Sequence, residues 1–448
     1  MLEGCPVLGW AASGGMALTG PADAAPVASP APAFGLLGAV VAELAAVTRA
    51  VGVEVRADPG ELVAGRAALA GFRRRGRVSA GGSARLVRAA DGWCAVNLSR
   101  SDDVAAVPAI VGLLGRSRAD GDAWRALEAA AAGVPAGALA AAAQSLGVPA
   151  GALPGELPGG FESAGSGRDG ACPSGRVSRI GAARGGARLA GALVVDLSSM
   201  WAGPLCARLL GLAGAEVIKV ETPDRPDGAR AGERRFFDWL HGGHRSVVLD
   251  FRSAAGRGAL AALLAAADVV IEASRPRALA QLGLAPEMIP HRDGQVWLSI
   301  TGYGRGDRAA AELVAFGDDA AVAGGLVGWT GGGEPVFCAD AIADPLTGLC
   351  GAVAVARSVA DGGGELIDLS MREVAAGFAA AAPVDHGPHS VRAVDGGDGG
   401  QAVVTCAALG VEQLVLPPAF DGAGRAAARM GADTSAVLAR LGTGSWRC

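Results

Sequence analysis

Residues 193–221 read LVVDLSSMWAGPLCARLLGLAGAEVIKVE. Aliphatic runs at both ends, 193–197 and 216–220, have the length and composition of buried strands. Between them Pro204 opens an apolar segment that Gly214 closes, a proline-first, glycine-last signature of a helix over 204–213. The same alternation continues to the C-terminal side. Strands are expected over 246–250, 268–272, 296–301 and 365–369, with helices over 255–266 and after Pro345. Short apolar strands alternating with helices indicate a doubly wound α/β domain, its largely parallel sheet covered on both faces.

Upstream the pattern is looser. Residues 1–65 give a proline-punctuated loop, a helix over 35–51 and a short strand over 52–55. Residues 66–157 read as a small α+β domain with strands over 85–88 and 93–98, alanine-rich helices, and GVPAGAL twice, at Gly133 and Gly147. Glycine, serine and arginine without periodicity mark 158–187 as a flexible linker. The large domain then runs over 188–382, and 383–448 is a shortened C-terminal segment with a terminal helix.

The 448 residues carry a net charge of −5, and the one basic cluster, FRRR at 72–75, is too short for a nucleic-acid surface. A small-molecule partner is expected instead. The eight cysteines are scattered without CxxC or Cys/His ligand spacing, so neither a metal site nor a disulfide framework is expected. A reducing cytoplasm fits that usage. No signal peptide is read at MLEGCPVLGW, and no membrane segment is expected.

A second stretch carries the chemistry. Residues 334–353 read EPVFCADAIADPLTGLCGAV, with Asp344 before Pro345 at a helix start. Such an aspartate can simply cap the helix; it can also be a carboxylate held at the cleft beyond the strand ends. The order ASGGMALTG, PV, APAFGLLGAV, GVEVRADPGELVAG in 12–65 parallels AGGLVGWTG, PV, DPLTGLCGAV, GGELIDLSMREVAAG in 323–377. On that alignment 1–65 is a degenerate partial repeat of the large domain, Pro32 matches Pro345, and Ala31 stands in place of Asp344. The retained proline without its acid weakens the pure cap reading.

The motifs 193–221, HRSVVLDF (244–251), DVVIEASRPRALAQLGL (268–284), LSITGYG (298–304), FGDDAAVAGGLVGWTG (316–331) and ADPLTGLCGAV (343–353) together resemble the family III CoA-transferases, the CaiB/BaiF family with formyl-CoA and carnitine CoA-transferases. The resemblance implies a Rossmann-like large domain and an enzyme that moves CoA between an acyl-CoA donor and a carboxylic acid acceptor. It implies that Asp344 is the nucleophile, passing through an aspartyl acyl anhydride and an aspartyl-CoA thioester. A carboxylate at a helix N-terminus is expected to stay ionised. Coenzyme A is the implied cofactor, entering as acyl-CoA, and no metal is implied. The Trp201-Ala202-Gly203-Pro204 turn, Arg225, Arg245, the Ala273-Ser274-Arg275 turn and Tyr303 are its implied contacts. Arg230 is a further phosphate candidate. Each of these is equally a packed turn, a surface charge or a structural ring.

In the family two chains interlock, which implies a homodimer or pairing with a related chain. Here small-domain-like material precedes the large domain, and the usual Asn and Lys are replaced by Gly243 and His244. A non-catalytic acyl-CoA-binding subunit is therefore the alternative. An acyl-CoA racemase is a third reading, opposed by Gly317 where racemases of the family carry a histidine. A glycine-rich flap is sought at 396–400, and His386 and His389 are read as loop residues. A dinucleotide site fails, because no GxGxxG follows Leu197.

Overall fold

The computed structural model describes residues 4–116, 122–155, 171–173, 175–383, 387–394, 401–422 and 424–442. Three helices lead: α1 (Pro6–Ala12), α2 (Ala31–Val51) and α3 (Pro59–Ala70). A small unit follows, with β1 (Ala84–Arg88), β2 (Trp93–Asn97), α4 (Ser101–Leu113), α5 (Ala123–Ala131), α6 (Ala136–Ser145) and β3 (Ala150–Ala152). The large unit contains β4 (Arg176–Arg179), β5 (Leu193–Asp196), α7 (Ala202–Leu212), β6 (Glu216–Glu221), α8 (Arg234–His241), β7 (Arg245–Val248), α9 (Ala254–Ala266), β8 (Val269–Glu272), α10 (Pro276–Gln281) and β9 (Val296–Thr301). It continues through α11 (Gly317–Ala323), β10 (Gly328–Trp329), β11 (Pro335–Val336), α12 (Ala343–Ala360), β12 (Glu365–Ser370) and α13 (Met371–Ala379). A hairpin and tail close the chain: β13 (His389–Ala393), β14 (Ala402–Cys406), β15 (Val411–Leu414) and α14 (Thr434–Gly442).

The central sheet has seven strands in the order β4-β12-β9-β8-β5-β6-β7. All neighbours are parallel except β4, which runs antiparallel to β12. The six parallel strands follow the doubly wound order, and the winding reverses between β5 and β8. Loops leaving adjacent strands in opposite directions open a crevice at their C-terminal ends there. The period-2 alternation of the strands sorts the core into two layers. Val194, Val269, Ile271, Val296, Leu298, Ile300, Ile367 and Leu369 face α7, α12 and the N-terminal helices. Val195, Ile218, Val220, Val270, Trp297 and Leu366 face α9, α10 and α14.

The leading helices belong to the first of these layers. Along α2, Leu37, Val40, Leu44, Thr48 and Val51 are buried at helical spacing and pack with the core residues of α12. Among the described residues α2 is the one helix long and apolar enough to cross a membrane; here that apolar seam is buried within the fold. The repeat alignment has a local counterpart, since Asp58 caps α3 through Glu61 N–H and the aligned Ser370 caps α13 through Glu373 N–H. The strand expected over 52–55 does not form. The Thr48 hydroxyl takes the Val55 N–H and the Ala213 carbonyl takes the Val53 N–H, so both donors are satisfied outside any sheet.

The small unit is a three-stranded antiparallel sheet with its own core of Val87, Cys94, Val96, Ile110, Leu127 and Leu139. Its other face docks on the large unit, where Leu86 and Trp93 pack with Val322, Val327 and Phe337. The expected linker is corrected in part: residues 176–179 are β4, the sheet's edge strand, while 156–170 lie outside the described residues. At the opposite edge the tail covers β7. Asp433 accepts from Ser246 N–H at 2.9 Å, the Thr434 hydroxyl accepts from Val248 N–H at 3.0 Å, and Asp433 N–H donates to the Ser246 carbonyl.

Candidate active site

The crevice is walled by two strained loops. Among the described residues only Met200, Ala339 and Ala341 are non-glycine residues with positive φ, at 74°, 51° and 43°, and all three lie here. Met200 sits in the turn between β5 and α7. Its N–H donates to Asp227 at 3.0 Å, and Asp227 is itself paired with the buried Lys219 at 2.8 Å. Lys219 Nζ also donates to the Ser198 carbonyl. Gly203 lets the turn close, because a Cβ there would overlap the Ser198 side chain. Ala339 and Ala341 flank Asp340 in the loop entering α12. Ala339 N–H donates to Thr19 Oγ1 at 2.9 Å, and Ala341 N–H to Asp318 Oδ1 at 3.1 Å.

Asp344 is the second residue of α12, and Ala341 O accepts its backbone N–H at 2.9 Å. Its carboxyl does not cap the helix; the residue is half-buried and receives the Gly317 N–H. A Cβ on Gly317 would overlap both the Ala341 carbonyl and Asp344 Oδ2, so the position admits no side chain. Three carboxyls and one cation share the space. Arg66, on α3, grips Asp340 bidentately, Nε to Oδ2 at 2.8 Å and Nη2 to Oδ1 at 2.6 Å, and lies 4.9 Å over the Trp201 ring. Burial pushes the Asp344 carboxyl up to about 7, helped by the charges of Asp318 and Asp340 and opposed by Arg66 and the Gly317 N–H. The expectation that the helix terminus keeps Asp344 ionised is thereby corrected: desolvation outweighs the terminus. Burial likewise raises Asp318 to about 6, with Asp340 adding to the rise.

The implied CoA contacts divide. Trp201, Ala202, Gly203 and Pro204 are all buried: Trp201 stacks edge-on against Phe236, and Gly348 of α12 packs against the Ala202 carbonyl. Solvent instead meets Ser199 and Met200. Arg245 is on the far side of the sheet, at the first residue of β7, paired with Glu216 at 2.6 Å and lining a cavity of about 410 Å³ with Arg208 and His244. Arg230 is committed to Glu221 at 2.5 Å. Tyr303 donates its hydroxyl to the Ala150 carbonyl at 2.9 Å, tethering the small unit. Ala273, Ser274 and Arg275, after β8, do open onto the crevice end, and Arg225 after β6 is exposed. Burial chiefly lowers the Arg275 pKa, with Arg277, Arg225 and Arg100 adding to it and Glu312 opposing, so several arginines gather near these strand ends.

Arg66 and Thr19 are the residues that sequence reading missed. Arg66 meets Asp340 across 274 positions, and no motif surrounds it in its alanine-rich helix. Asp340 thus takes its partner from a helix far away in the sequence. His389 is also corrected, since it opens β13 and lies 3.1 Å from Cys5 Sγ rather than in a loop. His386 and the sought flap at 396–400 lie outside the described residues.

Comparison with known proteins bears on the same region. The profile described as CoA-transferase family III matches residues 189–409. An acyl-CoA transferase of Fusarium pseudograminearum is 32% identical over 209 residues, 41% of this chain and 45% of that protein. A succinate–glutarate CoA-transferase of Agrobacterium fabrum is 30% identical over 210 residues, 42% of this chain and 51% of that protein. The chain thus spans about half the length of these curated relatives. A solved CaiB/BaiF family protein from Brucella suis shares 32% identity with a TM-score of 0.39, over 43% of this chain and 55% of that one. The matched profile begins just before β5, ends just after β14 and includes the crevice and Asp344, so the similarity to CoA-transferase family III covers the candidate site.

Proposed function

We propose that the chain transfers CoA between an acyl-CoA and a carboxylic acid, with Asp344 as nucleophile. The observation that carries the reading is the half-buried carboxyl of Asp344 at the crevice of the sheet, beside one arginine and raised to about 7. A carboxyl poised near neutrality is ionised in a useful fraction yet poorly solvated, which favours attack. The Asp344 oxygen attacks the thioester carbon and expels CoA thiolate, leaving a mixed anhydride. The thiolate then attacks the aspartyl carbon, releases the donor acid and leaves aspartyl-CoA. An acceptor carboxylate attacks that thioester and expels the thiolate again. Thiolate attack on the new acyl carbon restores Asp344, with no net proton change. Arg66 holds the carboxyls in register, and the Gly317 N–H supports charge on the Asp344 oxygen. Arg225 and Arg275 supply cations for the CoA phosphates.

The test traps the intermediate. Incubation with an acyl-CoA donor and hydroxylamine is expected to convert Asp344 into a hydroxamate that peptide mass spectrometry maps, and Asp344→Asn should yield no adduct and lose transfer. Acyl-CoA binding without any adduct at Asp344 would sink the transferase reading in favour of a binding subunit. The Gly317 backbone filling the place of a second base speaks against racemisation.

A further inference from the structure

We propose that Cys5, His389 and Cys406 form a zinc-class metal site that staples the N-terminal helix to the C-terminal hairpin. Their three ligand atoms lie within 4.8 Å of one another, although they come from opposite ends of the chain. Cys5 precedes Pro6 at the start of α1, while His389 and Cys406 are direct cross-strand partners of β13 and β14. Cys5 Sγ is 3.1 Å from His389 Nε2. Tetrahedral zinc with its usual bond lengths sets such ligands roughly 3.5–3.8 Å apart, so movements well under the width of a side chain close the set. The scaffold beneath is already joined, with Leu416 N–H donating to the Ala11 carbonyl at 2.9 Å.

The donor chemistry points the same way. Two thiolates and an imidazole are soft to intermediate ligands that select zinc over magnesium or calcium. Cys5 and Cys406 are buried, and His389 keeps one side open. A buried ion is tolerated where its charge is cancelled, and one divalent cation on two thiolates and a neutral imidazole has no net charge. Binding therefore displaces the two thiol protons to solvent. Uptake is therefore expected to strengthen as pH rises. No ligand spacing is visible along the chain because each ligand arrives from a different element.

The experiment uses the full chain, reduced and stripped with chelator, and cobalt(II) as probe. Expected are saturable uptake of about one equivalent, a thiolate-to-cobalt charge-transfer band, displacement by zinc, and release of about two protons. Cys5→Ser and Cys406→Ser should each weaken the band and the affinity by at least tenfold, and His389→Gln should weaken affinity. Independently of any variant, zinc should slow maleimide labelling of Cys5 and Cys406 in mild urea, mapped by mass spectrometry, more than it slows labelling of Cys94 and Cys206. Absence of cobalt uptake by the reduced chain, uptake unaltered in the double serine variant, or zinc-independent labelling of both thiols would each overturn the site.

Discussion

Asp344 carries a proton to about pH 7, and that has two consequences of opposite sign. In the proposed mechanism transfer needs the carboxylate, so its rate is expected to rise through pH 7 and level above it, as a pH–rate profile would record. Stability moves the other way. The folded pKa lies above the unfolded value, so the folded state binds the extra proton between about 4 and 7. The stabilisation linked to that proton is complete below the unfolded pKa and is lost as pH rises through 7. Asp344→Asn should therefore be more stable than the native chain at pH 8, by up to about 4 kcal/mol, and nearly equal to it at pH 4. Urea unfolding at the two pH values checks this; equal differences at both would count against a buried, shifted carboxyl. The place of this residue at a helix start was legible, because an Asp-Pro pair is a local signal. Its ionisation was not, because that depends on Asp318, Asp340 and Arg66 arriving from elsewhere.

At the level of elements, α3 does what no motif announces, carrying Arg66 across the crevice to Asp340. Asp340 is fully buried, so removing its partner leaves an uncompensated charge. Arg66→Met is expected to cost about 3–5 kcal/mol in denaturant unfolding, and adding Asp340→Asn should recover a large part of it. Because Arg66 opposes the rise of the Asp344 pKa, the rate profile of Arg66→Met should also move to higher pH. A merely structural arginine would alter stability without that displacement. The strands and helices of the large unit were readable from periodicity, since buried parallel strands are short apolar runs between helices. The misreadings fall where tertiary partners decide. Residues 52–55 alternate like a strand, yet the Thr48 hydroxyl and the Ala213 carbonyl take their donors. Residues 176–179 look like linker, yet β12 offers them an unpaired edge.

Over the whole molecule, the order of the chain and the order of the layers differ. The helices that come first in sequence end up packed on α12, and the tail that comes last returns to the first half of the sheet. Sequence reading recognised the α/β unit but treated the flanking segments as separate pieces. In the fold they hold Asp340, Ala339 and the β7 edge in place. The two margins of the sheet are closed by different means. β4 presents arginine at both ends of a fully exposed strand, and repulsion discourages a second copy from pairing there. β7 has no such charge pattern along its length, and it relies on Asp433 and Thr434 to occupy its outward groups. A chain ending before Gly431 would leave that margin as a template for strand addition. Such a truncation is expected to form concentration-dependent oligomers in light scattering while the chain carrying the tail does not, making the last helix a guard against self-assembly as well as a piece of the core.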